Sequence, residues 1–317
     1  MRFALMTEPQ QGLTYAEIAA VASTAEEAGF EAFFRSDHYA SFPGGAGKHT
    51  TDAWATLAGL ARETRTIRLG VLVSPVTFRI PGNFAKVVQT VDEMSDGRIE
   101  AGFGAGWNDD EHAQLGIPFP SLRERFDMLE EALAIVHGVW TQDDGWSFEG
   151  RHWRVRDAKR HGEVARGSRL HPPIILGGAG GPRLARLTAE YGDEFNLTSA
   201  APEDAPEAYA RVRAACEAIG RDPDSVVYSA MTGVLVAETE AELRDRVAVL
   251  LEALERPADE AEAWLAQRRG RWVMGTPDEA HERVAALERA GVQRIMLQDF
   301  LPRDLDQVRL MGRLFAG

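Results

Sequence analysis

One cysteine, Cys216, is present among 317 residues. That excludes an intramolecular disulfide and a multi-cysteine metal cage, and Cys216 reads as a helix residue without chemistry. Positive charge is also scarce, because 35 basic side chains stand against 49 acidic ones and leave a net charge of −14. No nucleic acid or anionic membrane face is expected as a partner, and any anion site must be local. Long apolar runs are missing too. The opening Met1-Arg2-Phe3-Ala4-Leu5-Met6 is too short for a signal-peptide core, and no later window is long and uncharged enough for a bilayer span, so a cytoplasmic protein is expected. No GxSxG elbow, HExxH helix or Walker loop is present, which leaves hydrolase, zincin and nucleoside-triphosphatase readings without support.

What the chain does have is rhythm. Short runs rich in Val, Ile, Phe and Leu alternate with longer segments of helical periodicity, as in repeated βα units. Strands are predicted at 2–7, 31–36, 66–74, 98–104, 173–177, 193–197, 226–237 and 292–298, with a terminal helix after the last. Thr14-Tyr15-Ala16-Glu17 has a capping-box pattern and opens the first helix, and Pro81 and Pro182 suit the first turns of later ones. Eight units predict an α/β (β/α)₈ TIM barrel. Two stretches break the beat: 146–156, which alternates about Glu149-Gly150 like a hairpin and leads into a polar segment, and the charged helical stretch 257–270. With no Pro/Gly/Ser-rich linker at either, a single domain over 1–317 is expected, with insertions at about 143–172 and 257–272.

In such barrels ligands sit where strands end, so the residues just past each strand are the candidates. Five consecutive exits carry Ser36-Asp37-His38, Ser74-Pro75, Gly104-Ala105-Gly106-Trp107-Asn108, Gly177-Gly178-Ala179-Gly180-Gly181, and Asn196. The glycine run stands between a strand and a helix, where bare backbone N–H groups suit a phosphate, although a flexible turn explains it equally; Arg183 and Arg186 would add positive charge or lie solvated. Gly102, Gly104 and Gly106 alternate along one face, which suits either a flat ring or barrel taper. Asp37-His38 could polarise a carbonyl, bind a ring edge or move a proton, or else be a helix-capping Asp beside a satisfied histidine. Asp109, Asp110, Glu111 and His112 read as a solvated first helical turn, and no metal site is expected.

Taken in order, Phe34-Arg35-Ser36-Asp37-His38-Tyr39, Leu69-Gly70 through Ser74-Pro75-Val76-Thr77-Phe78-Arg79, Gly102 through Asn108 with Glu111-His112, Gly116-Ile117-Pro118-Phe119-Pro120, Ile174 to Gly178 and Tyr191 to Asn196 make the chain resemble the bacterial luciferase-like monooxygenases, and within them the branch using the deazaflavin coenzyme F420. The resemblance implies a cis peptide near Leu72-Val73, in a bulge ending at Ser74 that presses on the back of the cofactor ring. It implies that Asp37 and His38 lie near that ring, that Ala105, Gly106 and Asn108 line it, and that Gly177, Gly178, Ala179 and Gly180 hold the phosphate.

The function so implied is hydride transfer between F420 and a small imine, enone or alcohol. His38 is the expected proton donor and Glu111 its competitor. FMN is the alternative cofactor, with monooxygenation as its chemistry, and a non-catalytic flavin-binding protein is a second alternative. Arg35, Lys48, Arg79, Lys86 and Arg183 are candidates for the oligoglutamate tail of F420. A homodimer is expected.

Overall fold

The computed structural model describes residues 1–42, 47–159 and 170–317. Eight parallel strands close into a barrel in the order β1 (Arg2–Thr7), β2 (Ala32–Arg35), β3 (Arg68–Pro75), β4 (Ile99–Gly104), β7 (Ile174–Gly178), β8 (Glu194–Leu197), β9 (Val227–Val236) and β11 (Arg294–Asp299), the last pairing with β1. Between them run α1 (Tyr15–Glu27), α2 (Ala53–Glu63), α3 (Pro81–Met94), α4 (Asp109–Leu115), α5 (Leu122–Thr141), α6 (Pro182–Tyr191), α7 (Ala205–Ala218), α8 (Glu240–Ala253), α9 (Ala261–Arg269) and α10 (Pro277–Arg289), with α11 (Leu305–Met311) closing the chain. The predicted helix starts are realised: Thr14 and Glu17 form the capping box of α1, and Pro81 and Pro182 are the first residues of α3 and α6.

Alternation along each strand sorts side chains to two sides. Phe3, Leu5, Phe33, Leu69, Ile99, Ala101 and Phe103 pack outward into the core beneath the helices, whereas Ala4, Met6, Ala32, Phe34, Ile175, Met231 and Met296 fill the barrel. At the strand starts the interior turns ionic. Arg294, fully buried, pairs with Glu100 at 2.6 Å, with Glu194 at 3.0 Å and with Glu31, while Arg68 holds the other side of Glu100. A buried ion cluster adds little net stability over an apolar plug, but the partners make one another obligatory. Its effect is to close the strand-start end, so that the opposite end is the open one.

The hairpin is present as β5 (Trp146–Glu149) and β6 (Arg154–Ala158), antiparallel, and seated on α5 because Gly138 leaves room for the Trp146 ring, which lies 2.3 Å from where a Cβ would stand. The polar segment that follows it lies largely outside the described residues. Between 238 and 291 the expected charged helix is α9, but β10 (Val273–Gly275) was not foreseen. It pairs with the far end of β9, whose ten residues outrun the barrel wall. Among the described residues no helix is long and apolar enough to cross a membrane.

Candidate active site

Three residues past β2, His38 meets Glu111 from the first turn of α4. The Nδ1 atom stands 2.9 and 3.1 Å from the two carboxylate oxygens, and the Tyr39 backbone N–H donates to the same carboxylate at 2.9 Å. A carboxylate only accepts, so Nδ1 carries the proton and Nε2 of the neutral ring is the acceptor. Nε2 makes no hydrogen bond among the described residues. Phe42 and Trp107 close on the imidazole edge-to-face, with centroids at 4.5 and 5.6 Å, and fix its plane.

The solvated-turn reading of 109–112 therefore needs correction. Asp109 and Asp110 are exposed, but Glu111 is 1% exposed and His112 fully buried. His112 donates from Nδ1 to the Asn108 carbonyl at 2.6 Å and accepts at Nε2 from Thr77, with Phe78 and Phe119 on its ring. It fastens α4 to the β3 exit.

Asp37, expected beside a ring, has its carboxylate engaged within the protein. Arg79 grips it with both Nη atoms, the second at 3.2 Å, and the Ser74 hydroxyl donates to it at 2.7 Å while accepting from Trp54 Nε1 at 2.9 Å. Arg79 also holds Asp52 at 2.7 Å, and Tyr39 donates to Asp52 at 2.5 Å. Burial pulls the Arg79 pKa down, but Asp37, Tyr39 and Asp52 together more than offset it and raise it above the ordinary guanidinium value, so the group stays charged. This network ties the β2 exit to the β3 exit.

The peptide between Leu72 and Val73 is cis, and the β3–β4 register shifts between Val71 and Ser74. The glycine strip gains a different meaning here. A Cβ on Gly104 would stand 2.5 Å from Val73 Cγ2, one on Gly177 2.8 Å from Val73 Cγ1, and one on Gly102 2.1 Å from the Val71 carbonyl oxygen. From sequence the strip suits a flat ring or barrel taper; at Gly102 and Gly104 it instead makes room for the bulge, and Leu72-Val73 forms the apolar shelf. Gly106 has φ +77°, and its loop is held from behind by Arg125, which donates to the carbonyls of Ala105 at 3.1 Å and Pro120 and stacks on Phe119 at 3.8 Å. Nothing in the sequence pattern singled Arg125 out. Asn108, 6% exposed, stands at the N-cap position of α4 without a side-chain hydrogen bond to the first turn.

At the β7 exit Gly178, Ala179 and Gly180 lead to Gly181, the N-cap of α6, whose first N–H groups have no partner within the helix. Gly180 has φ +73°, and a Cβ there would press on Ala208 at 3.0 Å, whereas Gly181 faces open space. The cations expected to help are engaged elsewhere. Arg183 pairs with Asp127 at 2.6 Å and Glu130 at 3.0 Å, and Arg186 with Glu130 and Glu190. Arg35 is fully buried among Thr51, Thr56 and Ser36, and Lys48 donates to the Ala253 carbonyl at 2.9 Å. The tail-binding readings of Arg35, Arg79 and Arg183 are corrected, because Arg35 is fully buried and Arg79 and Arg183 are paired with carboxylates. Lys86 lies exposed on α3.

An apolar shelf, a glycine turn with helix-start amides, and a histidine aimed by a carboxylate thus collect at the open end of the barrel. These parts suit a flat apolar ring with a phosphate arm. Among the described residues no cluster of three His, Cys, Asp or Glu is placed to hold a metal.

The model of the luciferase-like monooxygenase family matches residues 1–294. An F420-dependent glucose-6-phosphate dehydrogenase of Intrasporangium calvum is 34% identical over 178 residues, covering 55% of this chain and 51% of the relative. An F420-dependent hydroxymycolic acid dehydrogenase of Mycobacterium tuberculosis is 30% identical over 228 residues, covering 72% of this chain and 61% of the relative. The chain thus spans about half to three-fifths of the length of these curated relatives. Among solved structures, an F420-dependent secondary alcohol dehydrogenase in complex with an F420-acetone adduct superposes with a TM-score of 0.79 at 19% identity, covering 99% of this chain and 98% of that one.

Proposed function

This chain belongs to the luciferase-like monooxygenase family, and on that premise we propose that it is an F420-dependent oxidoreductase acting on a small organic alcohol, imine or enone, as one decorated domain that pairs into a homodimer. The observation that carries the reading is the His38–Glu111 pair, with Nδ1 at 2.9 Å from the carboxylate, at the same end of the barrel as the Leu72-Val73 shelf.

When bound, the deazaflavin supplies the hydride chemistry. Leu72 and Val73 would support its ring, Ala105, Gly106 and Asn108 would flank it, and Gly177, Gly178, Ala179 and Gly180 would meet its phosphate. Asp37 and Ser74 act from behind, through Arg79 and Trp54, by fixing the β2 and β3 exits. Oxidation of an alcohol to a carbonyl releases a proton from oxygen as the hydride leaves carbon. His38 Nε2 takes that proton and Glu111 stabilises the imidazolium so formed; in reduction the same nitrogen gives the proton back.

FMN is the second reading, favoured by one observation: Arg35, Arg79 and Arg183 are engaged by partners within the protein and so do not serve a polyanionic tail. The test of the catalytic assignment is His38→Ala, assayed for F420 reduction with a panel of secondary alcohols. Turnover is expected to fall roughly a hundredfold or more while F420 affinity stays within a few-fold. Unchanged turnover would remove His38 from the mechanism.

A further inference from the structure

Beyond the shelf and His38, the mouth of the barrel holds a recess of about 260 Å³ walled by Phe42, Trp272 and Phe300, with Glu8, Gln298 and Arg271 also lining it. The aromatic wall is built in. Gly233 of β9 leaves the space for Trp272, whose ring carbons lie 2.2 Å from where a Cβ would stand, and Trp272 stacks on Phe300 at 5.2 Å and 10°. Phe42 links the recess to the imidazole of His38, centroid to centroid at 4.5 Å.

The polar part of the lining holds one carboxylate, Glu8, and one guanidinium, Arg271. Glu8 is 6% exposed and accepts only from amides, Gln10 Nε2 at 2.7 Å and Gln298 Nε2 at 2.5 Å; among the described residues it has no ion-pair partner. Two carboxylate oxygens have about four lone-pair sites, so acceptor capacity remains. Arg271 does not neutralise it, because that guanidinium reaches to Asp204 at 3.3 Å and the Ser199 carbonyl at 3.4 Å. A buried carboxylate supported by neutral donors attracts hydrogen-bond donors and cations and repels anions.

We infer that Glu8 is a specificity residue, and that the recess takes a compact substrate with a hydroxyl or protonated amine directed at Glu8 and an apolar body against Trp272, Phe300 and Phe42, while rejecting phosphorylated substrates. The inference deepens the reading above, which supplies the site of reaction. It separates this chain from relatives whose names specify a sugar phosphate. The volume lies below the ordinary range of small-molecule pockets, which sets the size limit.

The test uses three probes with one body and three head groups: benzyl alcohol, benzylamine and benzyl phosphate, with binding to the full-length protein followed by ligand-observed NMR. The wild type is expected to bind the alcohol and the amine at least about tenfold more tightly than the phosphate. Glu8→Gln should remove the preference for amine over phosphate, and Trp272→Ala should weaken all three, with thermal unfolding run on both variants to show that the fold is kept. Phosphate bound as tightly as amine by the wild type, or an unchanged order in Glu8→Gln, would overturn the inference. F420 fluorescence is titrated separately, so that loss of cofactor binding with the probe order intact would count against the cofactor and not against Glu8.

Discussion

Val73 occupies the space a side chain on Gly104 would need, its Cγ2 atom 2.5 Å from the position of that missing Cβ. The glycines of β4 are therefore the reason the Leu72-Val73 shelf can stand where it does. Gly104→Ala should push the shelf toward the mouth and raise the Kd for F420 about tenfold or more, since misplaced binding groups lose affinity steeply. Gly82→Ala, at an open position on α3, is the control and should leave it unchanged. Equal affinities in the two variants would show that the shelf does not contact the cofactor.

Glu111 orients His38 and lends it charge, and Glu111→Gln separates the two. Glutamine can still accept from Nδ1–H, so the ring stays in place, but the imidazolium formed on proton transfer loses its counter-charge. Turnover should fall about tenfold to a hundredfold with substrate KM little changed. A change confined to KM would make Glu111 a binding group instead.

How much of this was legible beforehand follows from the kind of signal each part carries. The eight strands announce themselves through Val, Ile, Phe and Leu runs, because a strand buried on both sides must be apolar throughout. The three-residue β10 is too short to carry a pattern and exists only because β9 extends beyond the wall. The partnership of His38 with Glu111 spans 73 residues and is made by tertiary structure alone. Glycine spacing revealed where side chains are missing; it could not reveal that Val73 fills the gap. Arg79 reads from sequence as a cation for the cofactor tail and Arg125 carries no signal at all, since sequence shows nothing of the carboxylates and carbonyls that make their burial tolerable.

Asp299, fully buried at the end of β11, gives the fold a pH dependence. Burial pushes its pKa up to about 7 against 3.8, despite opposing hydrogen bonds from the Leu301 N–H and Gln307. A carboxyl raised in the folded state stabilises fully below 3.8, and that contribution is lost as pH rises to about 7. Asp299→Asn keeps the Oδ1 acceptor and cannot ionise. Its thermal midpoint should vary less than the wild type's between about pH 5 and pH 8 and exceed it at the alkaline end. Parallel curves would show that Asp299 titrates alike in both states.

The central claim is that the mouth of this barrel holds a deazaflavin, and titration of the purified protein with F420 and with FMN in parallel, each followed by its fluorescence, tests it most directly. Saturable micromolar binding of F420, with FMN at least about tenfold weaker, is the predicted result. Saturable binding of FMN with none of F420 would contradict the account.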